Sequence, residues 1–250
     1  MDRTIAPAIK RAEQRRLASM ANTSLRPIDD DIPSDPDARP LALFDLDGTL
    51  TDPADGIIAC HRWALEEIGH PFDETIDTAT LIGPPAEEAH ALLGVPADKI
   101  AESTQLYRER FAIAGWLDDT LYDGVADLLV QLTSAGWVLG VATMKLEPFA
   151  IRVLDRVGIT SHFAVVVGSD TKRTRTTKRA IIEHALLTLD RPTKGVVMIG
   201  DRRHDIEAAR SLQMTSIGAA WGFGSLEELI AADAHAIAVA PENVAEILLD

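Results

Sequence analysis

Cysteine is almost absent from the 250-residue sequence: Cys60 stands alone, so no disulfide can form within the chain. We interpret Cys60 as a small apolar residue on a helix face. Long apolar runs are missing too, since no stretch of about 18 residues is apolar enough to span a bilayer. The N-terminus also lacks the apolar region of a secretory signal. These absences predict a cytoplasmic protein without a membrane partner.

Basic residues are few, with 24 Lys and Arg against 39 Asp and Glu and a formal net charge of −15. Such a surface repels nucleic acid and anionic lipid, so we expect neither as a partner. It also repels a phosphorylated substrate, unless a metal ion or local basic groups reverse the field at the site. The length suits one core with a modest insert, as a monomer or homodimer.

The first 40 residues differ in composition from the rest. Residues 1–26 are rich in arginine and lysine, whereas residues 27–40 are acidic and rich in proline. Such a segment cannot bury enough apolar surface to offset its ordering entropy, which predicts a disordered or loosely docked N-terminal arm over residues 1–40. An organellar transit peptide and a true start at Met20 are the alternatives.

From Leu41 onward, short apolar runs alternate with amphipathic helical patterns. The runs that predict buried strands are 41–46, 137–142, 163–167, 195–199 and 215–217. This alternation predicts an α/β fold with a Rossmann-like, doubly wound parallel sheet covered by helices on both faces. Residues 54–119 show helical patterns only. We therefore expect a core of residues 41–53 and 120–250, with an inserted all-helical cap over residues 54–119.

The first predicted strand leads into a pair of carboxylates, Asp45 and Asp47. In parallel α/β sheets the site lies beyond the carboxyl ends of the strands, and alternation places both carboxylates on one side. Two neighbouring carboxylates are expensive as a purely structural feature, which favours a catalytic role. The alternatives are a turn at Asp47-Gly48 and a calcium loop, to which Thr49 and Thr51 would be poor ligands.

Three further strand ends carry polar residues. Thr143 and the backbone of Met144 follow one strand and offer an anion site or a helix cap. Lys178 begins the helix that follows the next strand along the chain, and the alternative is a solvated lysine at the helix end. Asp201 and Asp205 follow a third, with Asp201 also a candidate helix cap. Clustered carboxylates suit Mg²⁺, which would make an acidic edge attractive to phosphate.

Several motifs resemble one known family. They are Phe44–Leu50 with Thr51–Pro53, Ala142–Lys145, Lys178, Met198–Asp205, Ile82–Pro85 and Trp221–Ser225. Together they resemble the haloacid dehalogenase superfamily of hydrolases. The nearest branch is that of phosphoglycolate phosphatases and 5′-nucleotidases, which carries a helical cap after the first strand.

The resemblance implies roles for the chemical groups. Asp45 would be the nucleophile that attacks phosphorus, and Asp47 the acid that protonates the leaving oxygen and then activates water. Thr143, Met144 and Lys178 would bind the phosphate oxygens. An acid at Asp47 favours phosphate esters over dehalogenation, because a leaving alkoxide needs a proton and a halide does not.

The resemblance also implies a Mg²⁺ site. Its ligands would be Asp45, the backbone carbonyl of Asp47 and Asp201, with Asp205 acting through water or as a supporting ligand.

The function predicted in this way is Mg²⁺-dependent hydrolysis of a small phosphomonoester through an aspartyl phosphate. The substrate would be a phosphoglycolate-like acid or a nucleoside monophosphate. The rivals are a sugar phosphomutase and a non-catalytic sensor of phosphorylated metabolites. The basic segment Lys172–Arg175 departs from the family pattern; we interpret Arg175 as a candidate contact for a second anionic group, with a solvated basic loop as the alternative.

Overall fold

Six parallel strands form the centre of the protein, whose structure is a computed structural model that describes residues 39–172 and 174–249. The strands are β1 (Leu41–Phe44), β4 (Val138–Leu146), β5 (Val165–Ser169), β6 (Val196–Gly200), β7 (Thr215–Ala219) and β8 (Ala236–Ala238). Their order across the sheet is β5-β4-β1-β6-β7-β8. Chain order and sheet order thus differ in the way expected of a doubly wound sheet.

Helices connect and flank these strands. They are α1 (Ala54–Glu67), α2 (Ala86–Leu92), α3 (Ile100–Arg110), α4 (Val125–Ser134), α5 (Glu147–Val157), α6 (Lys178–Thr188), α7 (Arg203–Ser211), α8 (Leu226–Ala231) and α9 (Pro241–Leu249). Short 3₁₀ turns cover Thr78–Leu81 and Thr160–His162, and a π-turn, Phe111–Gly115, extends α3. Among the residues described, no helix is long and apolar enough to cross a membrane.

The central strand β1 is buried on both faces, which explains its unbroken apolar sequence. Ala42 and Phe44 pack into one cluster with side chains of α4, α5 and α9. Leu41 and Leu43 pack into another cluster, with side chains of α6 and α7. Helices therefore cover both faces of the sheet, and the predicted α/β fold class is confirmed.

Two short strands frame the helical segment. β2 (Thr51–Asp52) and β3 (Thr120–Leu121) pair antiparallel, apart from the main sheet. The segment between them, residues 53–119, contains only helices and is called the insert below. A separate apolar cluster that includes Leu65 and Leu93 forms its interior. The predicted division into core and cap stays a prediction about how the insert acts.

Several element bounds differ from expectation. β1 ends at Phe44 rather than 46, because the carbonyl of Leu46 already accepts the N–H groups of a tight turn. β4 continues to Leu146, beyond the predicted end at 142. No sequence pattern predicts β2, β3 or β8, which are only two or three residues long. The predicted arm lies outside the described residues except for Arg39 and Pro40.

Candidate active site

Three neighbouring strands bring the predicted residues to one edge of the sheet. Asp45 directly follows β1, Thr143 lies in β4 and Asp201 directly follows β6. Because β4, β1 and β6 are adjacent and parallel, their carboxyl ends converge. These residues and Lys178 line one cavity of about 770 Å³, which is bounded on its other side by residues of the insert.

Lys178 is the positive centre of this edge. Its Nζ lies 2.8 Å from Asp45 Oδ2 and 2.7 Å from Asp205 Oδ1, and it donates a 2.9 Å hydrogen bond to the Ala142 carbonyl. Burial alone would lower the pKa of Lys178, but the carboxylates of Asp205 and Asp45 outweigh burial and raise it. The lysine is therefore a fixed cation that orients Asp45.

Three carboxylates crowd together beside this lysine, and two of them, Asp45 and Asp205, contact it. Oxygens of Asp45, Asp201 and Asp205 all lie within 4.8 Å of one another. Burial, followed by repulsion from Asp205 and Asp45, raises the pKa of Asp201 to about 8. Burial also raises the pKa of Asp205 to about 6, although Lys178 opposes the shift. Because negative charge exceeds positive charge here, this oxygen donor set fits a hard divalent cation.

Backbone from two loops encloses Asp201. Gly48 has a φ of +83°, and a Cβ at this position would lie 2.2 Å from Asp201 Oδ2. A Cβ at Gly222 would lie 2.2 Å from the carbonyl oxygen of Gly48. Phe223 N–H donates to Asp201 Oδ2 at 2.9 Å, and Thr49 Oγ1 donates to Oδ1 at 3.2 Å. Only glycine fits at both loop positions, because the backbone of the two loops packs directly against the Asp201 carboxylate.

Asp47 has partners that the sequence did not predict. Lys145 Nζ lies 2.6 Å from Asp47 Oδ1 and 3.3 Å from Asp119 Oδ2. Burial raises the pKa of Asp47, and Lys145 opposes the rise. Burial likewise raises the pKa of Asp119 to about 7, again against Lys145. These three residues are far apart in sequence, and no spacing rule could have joined them.

Aromatic side chains also line the cavity. They are Tyr107 and Phe111 from the insert, with Phe149 and Phe223 from the core. The Phe111 and Phe149 rings meet edge to face at 5.3 Å, across the boundary between insert and core. The cavity thus offers both charged groups and aromatic rings to a ligand.

The predicted phosphate and substrate contacts have different surroundings. Thr143 and Met144 line the cavity, and Thr143 is buried. Arg175 also lines it, but its guanidinium pairs with Glu147 at 2.9 Å and approaches Asp170 at 3.7 Å. Arg173 lies outside the described residues. The functional roles of the predicted site residues stay predictions.

Arg202 links the insert to the core, another contact that sequence reasoning missed. Its Nη1 donates to the Ile82 carbonyl of the insert at 2.7 Å, and its Nε donates to Glu228 at 3.1 Å. Arg202 directly follows Asp201, so one loop both carries a candidate metal ligand and holds the insert against the cavity.

We expect Arg202→Met to loosen this contact, because a charge-assisted hydrogen bond stabilises by about 1.5–3 kcal/mol. Amide hydrogen exchange at residues 81–86 should become faster by about tenfold or more, which corresponds to the lower part of that energy range. Arg203→Met is the matched control, since it removes the same charge from an exposed neighbour. Unchanged exchange in the Arg202 variant would show that other contacts hold the insert.

Comparison with known proteins agrees with this geometry. A family model described as haloacid dehalogenase-like hydrolase matches residues 42–219. The protein named tyrosine-protein kinase PtkA from Mycobacterium tuberculosis is 39% identical over 184 residues, which cover 74% of this chain and 63% of that relative. A protein named 5′-nucleotidase from Pseudomonas aeruginosa is 36% identical, over 76% of this chain and 86% of the relative.

Solved structures agree as well. A crystal structure described as a predicted phosphatase from Clostridium acetobutylicum superposes with a TM-score of 0.77 at 31% identity, covering 84% of this chain and 98% of that one. The matched region spans 63% of PtkA, less than two thirds of that protein's length. The family match covers more than half of the sequence and includes both the sheet and the carboxylate edge. This chain belongs to the haloacid dehalogenase-like hydrolase family.

Proposed function

We propose that this protein hydrolyses small phosphomonoesters in a Mg²⁺-dependent reaction through an aspartyl phosphate on Asp45. The observation that carries the proposal is the ion pair at 2.8 Å between Lys178 Nζ and Asp45 Oδ2, at the charged end of a cavity that Asp47 also lines. A nucleophile, an acid and a fixed cation therefore face one space. The relatives named as a phosphatase and a 5′-nucleotidase support the same chemistry.

In the first step, a carboxylate oxygen of Asp45 forms a bond to phosphorus and the ester P–O bond breaks. The bonding electrons leave on the alcohol oxygen, which takes the proton of the Asp47 carboxyl. Lys178, the Thr143 hydroxyl and the Met144 N–H bind the phosphate oxygens and stabilise the charge that develops on them.

In the second step, the Asp47 carboxylate takes a proton from water and the water oxygen attacks phosphorus. The bond between phosphorus and Asp45 breaks and its electrons return to the carboxylate. Phosphate leaves, and both aspartates regain their initial states. One residue serves as acid and then as base because the first step leaves it deprotonated.

Mg²⁺ would be held by Asp45, Asp201 and Asp205, with the backbone carbonyl of Asp47. When bound, it supplies positive charge that draws a phosphate ester to this acidic edge. The crowding of the three carboxylates within 4.8 Å supports this assignment.

We propose that the insert acts as a cap and restricts the substrate to free metabolites. Tyr107, Phe111 and Phe149 line the cavity together with the charged residues, and Arg202 ties the insert to the core. A cavity of about 770 Å³ has room for a nucleoside monophosphate or a small phosphorylated acid but not for a folded phosphoprotein. The ring surfaces favour a planar group on the substrate.

We also propose a location, a set of excluded partners and an oligomeric state for the enzyme. A net charge of −15 and a single cysteine support a cytoplasmic enzyme with no nucleic-acid or membrane partner, acting as a monomer or homodimer.

The substrate preference gives a test of Arg175. We expect phosphorylated acids or nucleoside monophosphates to exceed phosphates of neutral alcohols by at least about tenfold in kcat/KM, roughly 1.4 kcal/mol. Arg175→Ala should erase this preference and spare aryl phosphate hydrolysis. Arg179→Ala is the matched control, because Arg179 is an exposed arginine paired with Glu183 on α6.

The pairs with Glu147 and Asp170 make the opposite outcome informative. If the preference survives in Arg175→Ala, the arginine only joins the segment after β5 to α5 through those carboxylates and does not contact substrate.

Three rival activities share this scaffold. A phosphomutase would need a bisphosphate activator, and a sensor would bind phosphate esters without turnover. The relative named tyrosine-protein kinase PtkA raises phosphoryl transfer to a tyrosine as a third. A single experiment separates them: purified protein with Mg²⁺ is assayed for phosphate release from a phosphomonoester panel with and without a sugar bisphosphate, and with ATP for phosphorylation of a tyrosine peptide. Steady phosphate release without peptide labelling supports the hydrolase.

A further inference from the structure

Three charged residues form a bridge beside the nucleophile, and the proposed reaction gives no role to two of them, Lys145 and Asp119. We call Asp47, Lys145 and Asp119 the lysine bridge. The Lys145 ammonium lies 2.6 Å from one carboxylate and 3.3 Å from the other, and the Lys145 side chain is only 5% exposed. The ring of Phe111 adds a cation–π contact, with its centroid 5.1 Å from the ammonium.

The bridge joins three separate parts of the chain. Asp47 lies in the loop after β1, Lys145 lies near the end of β4, and Asp119 ends the insert just before β3. Arg156 of α5 also holds this last junction, by donating from Nη1 to the Asp119 carbonyl oxygen. The acid of the proposed reaction is thus tied to the point where the insert rejoins the core.

Stability alone does not account for this arrangement. Buried ion pairs lose hydration, and apolar residues of similar size often serve the fold equally well. Moreover, Asp119 Oδ1 has no hydrogen-bond partner among the described residues, although it is buried. A fully buried carboxylate left half satisfied is a feature that calls for a functional reason.

We propose that Lys145 is the positioning residue for proton transfer by Asp47, and that Asp119 balances the lysine charge. The inference rests on the proposed function, in which the Asp47 carboxyl gives its proton to the leaving alcohol oxygen as the ester P–O bond breaks. Lys145 holds that carboxyl in place. The ammonium lies between the two carboxylates, so Asp119 fixes the lysine from one side while the lysine fixes Asp47 from the other.

A lysine with this role affects substrates unequally. Alkoxides are poor leaving groups and need the proton, whereas 4-nitrophenolate leaves without it. General acid catalysis contributes about 10²–10⁴-fold. Lys145→Met should therefore lower kcat/KM for an alkyl phosphate by about a hundredfold and for 4-nitrophenyl phosphate by less than about fivefold. A lysine that only supported the fold would lower both rates alike.

Two further variants sharpen the test. Arg156→Met loosens the same junction without touching Asp47, so it should change the two substrates by the same factor. Asp119→Asn keeps the shape of the side chain and removes the balancing charge, and it should repeat the alkyl-selective loss to a smaller extent, about tenfold. If Lys145→Met does not fold, the loss of alkyl phosphate hydrolysis relative to aryl phosphate hydrolysis in Asp119→Asn tests the positioning role.

Equal loss on alkyl and aryl esters in both Lys145→Met and Asp119→Asn would overturn the positioning role. The failure of the proposed function has a different signature, namely phosphate release that does not depend on Asp45. Selective loss on alkyl esters in a protein that still requires Asp45 supports both inferences together.

Discussion

Asp45→Asn should lower phosphomonoester turnover by several orders of magnitude. An amide at this position cannot attack phosphorus and loses the charge that pairs with Lys178 at 2.8 Å. The measurement is steady-state phosphate release, with circular dichroism to show that the variant folds. When the protein without substitutions is treated with substrate and borohydride, mass spectrometry should find the reduced aspartate at position 45.

Asp52→Asn provides a matched control for this variant. Asp52 Oδ1 accepts a hydrogen bond from Ala54 N–H at 3.0 Å, and an asparagine can still accept it. The substitution removes one carboxylate near the site without altering the proposed chemistry, and turnover should stay within about twofold of the unmodified protein. Activity of Asp45→Asn above about a tenth of that level would contradict the covalent mechanism.

Removal of the metal should have an effect of similar size. We expect EDTA to abolish turnover and Mg²⁺ to restore it, with Ca²⁺ a poor substitute because its coordination shell is larger and looser. A second readout does not need activity. Mg²⁺ should raise the melting temperature, because it relieves repulsion among three buried carboxylates, by about 2–4 °C for each kcal/mol gained.

The two aspartates after β6 should differ in this test. Asp201→Ala should abolish the Mg²⁺-dependent rise in melting temperature, since Asp201 is predicted as a direct ligand. Asp205→Ala should weaken Mg²⁺ binding by about tenfold, as expected of a supporting group. Its carboxylate also pairs with Lys178, so kcat should fall as well. A larger loss of metal affinity in Asp205→Ala would reverse the two assignments.

The sequence was enough to predict the carboxylate edge because a simple rule applies there. Parallel strands that lie side by side bring their carboxyl ends together, so Asp45 and Asp201 meet although they are distant in the chain. The runs that predicted β1 and β6 are short, but they are apolar without a break up to Phe44 and Ile199. By contrast, β8 is a three-residue strand, Ala236–Ala238, and too short to give a periodic signal.

The lysine bridge shows the limit of such rules. Lys145 follows Met144 in a segment that was expected to contribute backbone N–H groups, and its side chain instead reaches Asp47 and Asp119. That contact depends on the extension of β4 to Leu146 and on where the insert rejoins the core. Neither feature has a local pattern. The contact of Arg202 with Ile82 is missed for the same reason, because it depends on how the insert lies.

The pairing of β2 with β3 changes how the insert relates to the rest of the chain. Thr51 faces Leu121 and Asp52 faces Thr120, so the chain leaves the core and returns at points only about 5 Å apart. In the two-stranded sheet of β2 and β3, residues 53–119 therefore take the place of a β-hairpin loop. A turn of a few residues could fill the same place. Any helical module with ends this close could occupy the same place while Asp45 and Asp47 kept theirs. If the insert acts as the proposed cap, an exchanged module could change the substrate range while the sheet keeps Asp45 and Asp47, provided that the module still ends in the carboxylate of Asp119 that pairs with Lys145.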